Sequence, residues 1–143
     1  MGLHRAVAVA LVALFSSLGA LHVYWAAGGS WGSRVSVPEI DGKPAFRPGR
    51  TATLVVALLL ATAAAVVSVR ANLFVVGSAG SRIAHLGTWT LVAVFVLRAI
   101  GDFRRVGFFQ GPRRTPFARY DTFLFSPLSL AIALGCLFTA LGP

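Results

Sequence analysis

Four long runs of apolar residues, joined by more polar connectors, limit what this chain can fold into. The runs extend from about Ala6 to Ala27, Thr51 to Val69, Ile83 to Gly101 and Phe123 to Leu141. A bilayer core about 30 Å thick needs roughly 20 apolar residues in a helix, and an open strand would leave its backbone groups unpaired in lipid. The sequence therefore predicts an all-α integral membrane protein, with a single transmembrane domain over residues 1–143.

Composition favours lipid-facing helices over a water-soluble core. Hydrophobic residues make up 57% of the chain and charged residues only 12%, which is about half the charged fraction of a typical soluble domain. The first run follows Arg5, is longer than the core of a secretory signal peptide, and ends in His22, Tyr24 and Trp25. We therefore expect this run to be retained as a transmembrane helix.

The connectors and the small residues predict how the helices pack. Short connectors favour antiparallel neighbours, and therefore an up-down-up-down four-helix bundle. The first connector is the longest and contains Asp41-Gly42, a turn signal that could close a short hairpin. Small residues at four-residue spacing would let helices approach closely in lipid. The candidates in the second and fourth runs are Ala57, Ala61, Ala65, Ala131, Gly135 and Thr139.

Positive charge is concentrated on one side of the predicted bundle. The chain has 13 Lys and Arg against four Asp and Glu. The N-terminus and the second connector hold Arg5, Arg70 and Arg82. The first and third connectors hold Arg34, Lys43, Arg47, Arg50, Arg104, Arg105, Arg113, Arg114 and Arg119. The positive-inside rule then puts these two connectors in the cytoplasm and both termini outside.

The residues that could carry chemistry collect on the same basic side. We expect a polar and aromatic cluster there, formed by His22, Tyr24, Trp25, Trp31, Arg98, Asp102, Arg119, Tyr120 and Asp121. Basic residues of the connectors would bind anionic lipid headgroups. The residues assigned to that role are Arg47, Arg50, Arg104, Arg105, Arg113 and Arg114.

Arg98 is the charged residue inside a predicted span, and an arginine there is a functional-site hypothesis by default. Asp102 follows it by four residues, so the two side chains would share a helix face and could form an ion pair. The alternative to a functional role is a structural ion pair near the lipid headgroups. Similarly, Asp121 or Thr122 could simply cap the fourth helix.

His22 has two interpretations of the same kind. An imidazole can act as an acid or base near neutral pH, or can hydrogen-bond a ligand. It could instead be a structural histidine bonded to Asp102, Asp121 or a carbonyl group. Tyr24, Trp25 and Trp31 are typical of an interfacial aromatic belt, which is the alternative to a binding role.

Classical hydrolase and redox mechanisms are not indicated, because the sequence signatures of such enzymes are missing. The sequence has no Gly-rich phosphate loop, nucleophile elbow, zinc-binding helix motif or haem-attachment pair. Cys136 is the single cysteine, so no intramolecular disulfide framework is possible. We predict no cofactor and no metal. No nucleic-acid-binding motif accompanies the basic charge, so nucleic acid is not an expected partner.

Three ordered motifs carry a resemblance to a known family. They are His22 to Gly29 with Trp31 and Gly32, Arg98 to Asp102, and Phe117 to Asp121 with Ser126 to Leu128. Together they resemble a family of small four-helix bacterial membrane proteins that carries only a domain-of-unknown-function label (number 3995). The resemblance implies the four-helix fold and a bacterial membrane location. It implies no activity.

The leading hypothesis is a non-enzymatic bundle in the bacterial cytoplasmic (inner) membrane. It would bind a lipid or apolar small molecule, or dock on a larger membrane complex, through the polar cluster at its cytoplasmic end. Expected partners are anionic membrane lipids, with a membrane protein or a second copy of the chain as further candidates. The alternative is a membrane enzyme acting on an isoprenoid, sterol-like or quinone substrate, with His22 and Asp102 or Asp121 as acid and base. A transporter or channel ranks last, because the spans offer few polar groups along a continuous path.

Overall fold

The protein folds into long helices joined by connections of unequal length. The computed structural model describes residues 2–40, 43–101, 103, 106–109 and 115–142. Helices α1, α2 and α3 comprise Leu3–Ala26, Arg50–Arg70 and Ser78–Ile100. The short helix α4, Pro116–Tyr120, continues through a π-helical turn, Asp121–Phe125, into α5, Ser126–Leu141.

Four helical spans are long and apolar enough to cross a membrane: Leu3–Ala26, Arg50–Arg70, Ser78–Ile100 and Pro116–Leu141. Around the bundle α1 packs against α2, α2 against α3, α3 against α5, and α5 against α1. This closed ring of antiparallel neighbours confirms the predicted up-down-up-down bundle.

Contacts between helix termini define one end of the bundle. His4, near the start of α1, has its Nε2 atom 3.3 Å from the carbonyl oxygen of Thr139 in α5. Arg70, the last residue of α2, donates from Nη2 to the carbonyl oxygen of Ala140 at 2.8 Å. We call this the opposite end. The other, where α1 and α3 end and α2 and α4 begin, is the basic end.

The bundle is apolar outside and filled with small residues inside. Large apolar side chains such as Leu58, Ile83 and Leu97 are about two-thirds exposed, at 67%, 68% and 67%. Most of the buried hydrophobic positions are alanine, and Phe15 of α1 is the largest fully buried side chain among the described residues. Small interior residues allow helices in lipid to approach closely, while the exposed apolar surface suits acyl chains. This distribution is the reverse of a soluble bundle.

The predicted stripes of small residues are only partly correct. Ala57 and Thr139 are buried at helix contacts, whereas Ala61, Ala65 and Ala131 are exposed on the outside of the bundle. The four-residue spacing drifts by about 40° per step around a helix of 3.6 residues per turn, so the three positions of a stripe do not all face the same neighbouring helix.

The fourth span begins earlier than the apolar run suggested. Helix α4 starts at Pro116, and the Thr115 hydroxyl caps it by accepting a hydrogen bond from the Ala118 amide at 3.2 Å. The suggestion that Asp121 or Thr122 caps this helix is therefore wrong. Asp121 lies inside the span, where it opens the π-helical turn.

The first connector folds back over the basic end. It contains a 3₁₀ turn, Ser33–Val35, and a hairpin in which Glu39–Ile40 pairs antiparallel with Lys43–Pro44. The hairpin predicted around Asp41-Gly42 is thus present, although those two turn residues lie outside the described residues. The connector contacts the start of the fourth span, because the 3₁₀ turn packs against α4.

Candidate functional site

The first connector, the end of α1 and the start of α2 line a partly open pocket at the basic end. Its volume is about 360 Å³. Among the described residues, the lining is mainly apolar with a few polar side chains. The lining residues are His22, Trp25, Gly29, Ser33, Ser36, Val37, Phe46, Pro48, Ala52, Thr53 and Val56. A pocket of this size with mostly apolar walls is typical of small-molecule sites.

His22 lines this pocket and is held by its own helix. Its Nδ1 atom lies 2.8 Å from the carbonyl oxygen of Leu18, one turn earlier. A carbonyl oxygen can only accept, so Nδ1 carries the proton in this bond. In the neutral imidazole, Nε2 is then left as a hydrogen-bond acceptor. One of the predicted alternatives, a histidine bonded to a carbonyl group, therefore applies to Nδ1. Nε2 can still accept a hydrogen bond from a ligand.

The aromatic residues near His22 shape the pocket and the turn beside it. The Trp25 ring meets the His22 ring edge to face, with centroids 4.9 Å apart. The Trp25 Nε1–H group donates to the backbone oxygen of Trp31 at 2.7 Å, which ties the connector to the end of α1. Tyr24 is half exposed, and its ring occupies the space where a side chain at Gly29 would lie. Trp31 is itself mostly exposed.

A second polar group surrounds Asp121, whose side chain is fully buried. Arg98 of α3 donates from Nη2 to Asp121 Oδ1 at 2.5 Å, forming an ion pair. The backbone N–H of Gly107 donates to Oδ2 at 2.6 Å, and the Ser126 hydroxyl lies 3.4 Å from the same oxygen. These contacts join α3, the third connector and the π-helical turn.

Two glycines make the Gly107 contact possible. Gly101 and Gly107 have φ angles of +82° and +94°, a region that favours glycine. A Cβ atom on Gly107 would lie 2.3 Å from the carbonyl oxygen of Ile100, so the two backbone segments touch directly. The Phe108 amide also donates to the Ala99 oxygen at 2.8 Å. The third connector therefore turns back onto the end of α3 and delivers an N–H group to Asp121.

The structure thus separates the predicted cluster into two groups at the same end. His22 and Trp25 belong to the pocket, whereas Arg98 and Asp121 belong to the ion-pair group and do not line it. Asp121 accepts hydrogen bonds from Arg98, Gly107 and Ser126, and it is not among the lining residues of the pocket beside His22. An acid–base pair formed by these two side chains needs a common cavity, and the pocket beside His22 does not include Asp121 among its described lining residues.

The remaining predicted site residues have different surroundings. Arg119 and Tyr120 are exposed and line a separate open groove with Pro116, Phe123 and Leu124. Arg47 and Arg50 are exposed at the basic end, beside the first connector. The other predicted residues lie outside the described residues: Asp102, Arg104, Arg105, Arg113 and Arg114.

Several residues that form these sites were not predicted from the sequence. Phe46, Thr53 and Val56 line the pocket, but they look like ordinary connector or span residues until the connector folds back. Gly107 and Ser126 donate to Asp121, and nothing in their local sequence indicates this role. The one available signal was the pair of glycines around the third connector, since clustered glycines often mark close backbone approach.

No metal centre is evident in the part of the chain that the structure describes, where no group of three or more His, Cys, Asp or Glu side chains comes together. The pocket contributes one imidazole and hydroxyl groups, but no carboxylate, among its lining residues. Its chemistry is suited to hydrogen bonding rather than to holding a divalent ion.

Comparison with known families gives a match over residues 6–136 to the family described as Protein of unknown function (DUF3995). The matched region contains both the pocket and the Arg98–Asp121 ion pair. No curated protein and no solved structure matches the chain. Since the family match covers most of its length, and the motifs at its basic end already resembled that family, the chain belongs to this family of proteins of unknown function.

Proposed function

We propose that the protein binds a lipid or another apolar small molecule in the pocket beside His22. The observation that carries this proposal is the 360 Å³ pocket itself, which lies between α1, α2 and the folded-back first connector. Most of its lining is apolar, with Trp25, Phe46 and Val56 providing the larger surfaces. Burying apolar ligand surface against such walls contributes roughly 25 cal/mol per Å².

The position of the pocket suits a ligand that arrives from the membrane. Its walls include the end of one span and the start of another, so it lies near the depth where lipid headgroups meet acyl chains. An apolar molecule dissolved in the bilayer would reach this depth without entering water. We expect the basic end to face the cytoplasm of a bacterium, because connectors rich in arginine stay on that side.

The test measures saturable binding by fluorescence of Trp25 in lipid nanodiscs. The chain has three tryptophans, so Trp31→Phe and Trp89→Phe leave Trp25 as the reporter. A long-chain alcohol brominated at its far end is titrated in, since bromine quenches an indole that it touches. We expect quenching that saturates and is reversed by excess unlabelled dodecanol.

Matched variants distinguish the pocket from the lipid-facing surface. Ala52 lines the pocket, whereas Ala61 is exposed on the outer face of the same helix. Ala52→Phe fills part of the pocket and should reduce saturable quenching at least about tenfold, since a filled site forfeits the apolar burial. Ala61→Phe should leave it unchanged. Quenching that never saturates, or that both variants reduce equally, would contradict the proposal.

A further inference from the structure

The pocket has an unusual balance of hydrogen-bonding groups. Its described lining contains five side chains with a donor hydrogen, and in each of them that hydrogen is already given to a backbone carbonyl. The acceptors are the oxygens of Leu18 for His22, Trp31 for Trp25, Ser30 for Ser33, Gly32 for Ser36 and Gly49 for Thr53. The distances range from 2.7 Å for Trp25 to 3.0 Å for Thr53.

What remains on these side chains is acceptor capacity. Each hydroxyl oxygen keeps lone pairs after its hydrogen is donated, and the neutral His22 ring keeps the lone pair on Nε2. The indole of Trp25 has no acceptor, so it offers only its apolar face. The polar side chains of the pocket therefore present lone pairs to a ligand, inside walls that are otherwise apolar.

From this balance we infer that the ligand carries a neutral hydrogen-bond donor, namely the hydroxyl group of a lipid alcohol. The inference rests on the proposed binding function and specifies its ligand class. A hydroxyl hydrogen can be given to His22 Nε2 or to a serine or threonine oxygen. An ether or ester head group has no hydrogen to donate. Its oxygen would face the acceptor atoms of the pocket without forming a hydrogen bond. Such unpaired polar groups are costly when they leave water.

A carboxylate or phosphate head group is a weaker fit for the same reason. Anions need donors, and the side-chain donors of the pocket are used within the protein. The start of α2 could still offer backbone N–H groups, because Gly49 caps it without a side-chain hydrogen bond and Ala52 lines the pocket. The experiment therefore includes an anionic probe, so that this competing contact is measured.

The test compares four probes with the same 12-carbon chain for displacement of the brominated alcohol. The probes are dodecanol, dodecyl methyl ether, dodecanoate and dodecane, with each concentration corrected for its partition into the nanodisc lipid. We expect dodecanol to displace the reporter at a concentration about threefold to tenfold lower than the ether, as one net hydrogen bond predicts. Dodecanoate and dodecane should be weaker than dodecanol by a similar factor.

Two substitutions locate the acceptors that produce this preference. Ser36→Ala removes one hydrogen-bond acceptor from the lining and should reduce the preference for alcohol over ether. His22→Phe keeps a ring and removes Nε2, with the same expected result. The control is His85→Phe, because His85 is exposed and does not line this pocket. A preference that neither lining substitution reduces would overturn the inference, as would one that His85→Phe reduces equally.

Failures of the inference and of the proposed function are distinguishable. If all four probes displace the reporter equally, the pocket binds apolar chains but does not recognise a hydroxyl group, and the inference fails alone. If dodecanoate is the strongest competitor, the start of α2 binds an anionic head group and the inference is again overturned. If the reporter shows no saturable quenching, the proposed function itself fails.

Discussion

Asp121 is the residue on which the basic end depends most directly. Its carboxylate has 0% exposure inside a membrane span, and a carboxylate there is tolerated only when it is paired and hydrogen-bonded. Arg98 supplies the opposite charge, while the Gly107 amide and the Ser126 hydroxyl approach the second oxygen. The contacts of Asp121 therefore hold α3, the third connector and the fourth span together.

Replacing Arg98 with alanine should destabilise the bundle strongly. It would remove the ion pair that Arg98 forms with the buried Asp121, at an expected cost of about 2–3 kcal/mol, below the range for fully buried pairs because the Arg98 side chain is 33% exposed. The measurement is the unfolding midpoint in detergent. Arg47→Ala is the control, since Arg47 is an exposed arginine of the first connector. Equal midpoints for the two variants would contradict this account of the ion pair.

The sequence was enough to predict that Arg98 needs a partner, but not to choose the carboxylate. Four-residue spacing suggested Asp102, which lies outside the described residues. The observed partner, Asp121, is 23 residues away in the chain. It reaches Arg98 because the third connector folds back at Gly101 and Gly107, and local spacing carries no information about such a return.

Among the helical elements, the fourth span departs most from a regular α-helix. The backbone amide of Ser126 donates to the backbone carbonyl oxygen of Asp121, five residues earlier, which widens this turn. Pro127 follows directly, and proline has no N–H to donate while its ring crowds the carbonyl oxygen four residues before it. The wider turn relieves that crowding. Such π-helical turns frequently occur at functional sites.

The start of this span could not be read from hydropathy. Arg119, Tyr120 and Asp121 interrupt the apolar run, so the window placed the beginning near Phe123. The structure begins the span at Pro116 because Thr115 caps it there and Asp121 is neutralised by Arg98. A tertiary contact therefore decided where the helix could enter the bundle, and a sequence window cannot include such a contact.

Close packing of α1 against α5 gives a prediction for Gly135. A Cβ atom at Gly135 would lie 3.2 Å from the Leu11 side chain, so Gly135→Val should force these helices apart and cost about 1–3 kcal/mol. The control is Ala131→Val, one turn earlier on the same helix and exposed. Thermal unfolding in detergent would compare them. A midpoint for Gly135→Val as high as that for Ala131→Val would show that the two helices are not in close contact.

At the scale of the whole molecule, the four-helix class was predictable because it follows from the length and apolarity of the runs. The pocket was not predictable, because it forms only when the first connector lies against two helix ends. Orientation remains a prediction from charge. A groove in the fourth span changes from polar to apolar along its length: Arg119 and Tyr120 line it nearer the basic end, and Phe123 and Leu124 line it one turn deeper.

The proposed ligand of the pocket beside His22 at the basic end is a lipid alcohol. The most direct measurement is photolabelling in membranes with a long-chain alcohol that carries a diazirine, followed by mass spectrometry of the labelled peptides. We expect label concentrated on two segments, residues 29–37 and residues 46–56, and removed by excess dodecanol. Label spread along the exposed apolar faces of α2 and α3, unaffected by dodecanol, would contradict it.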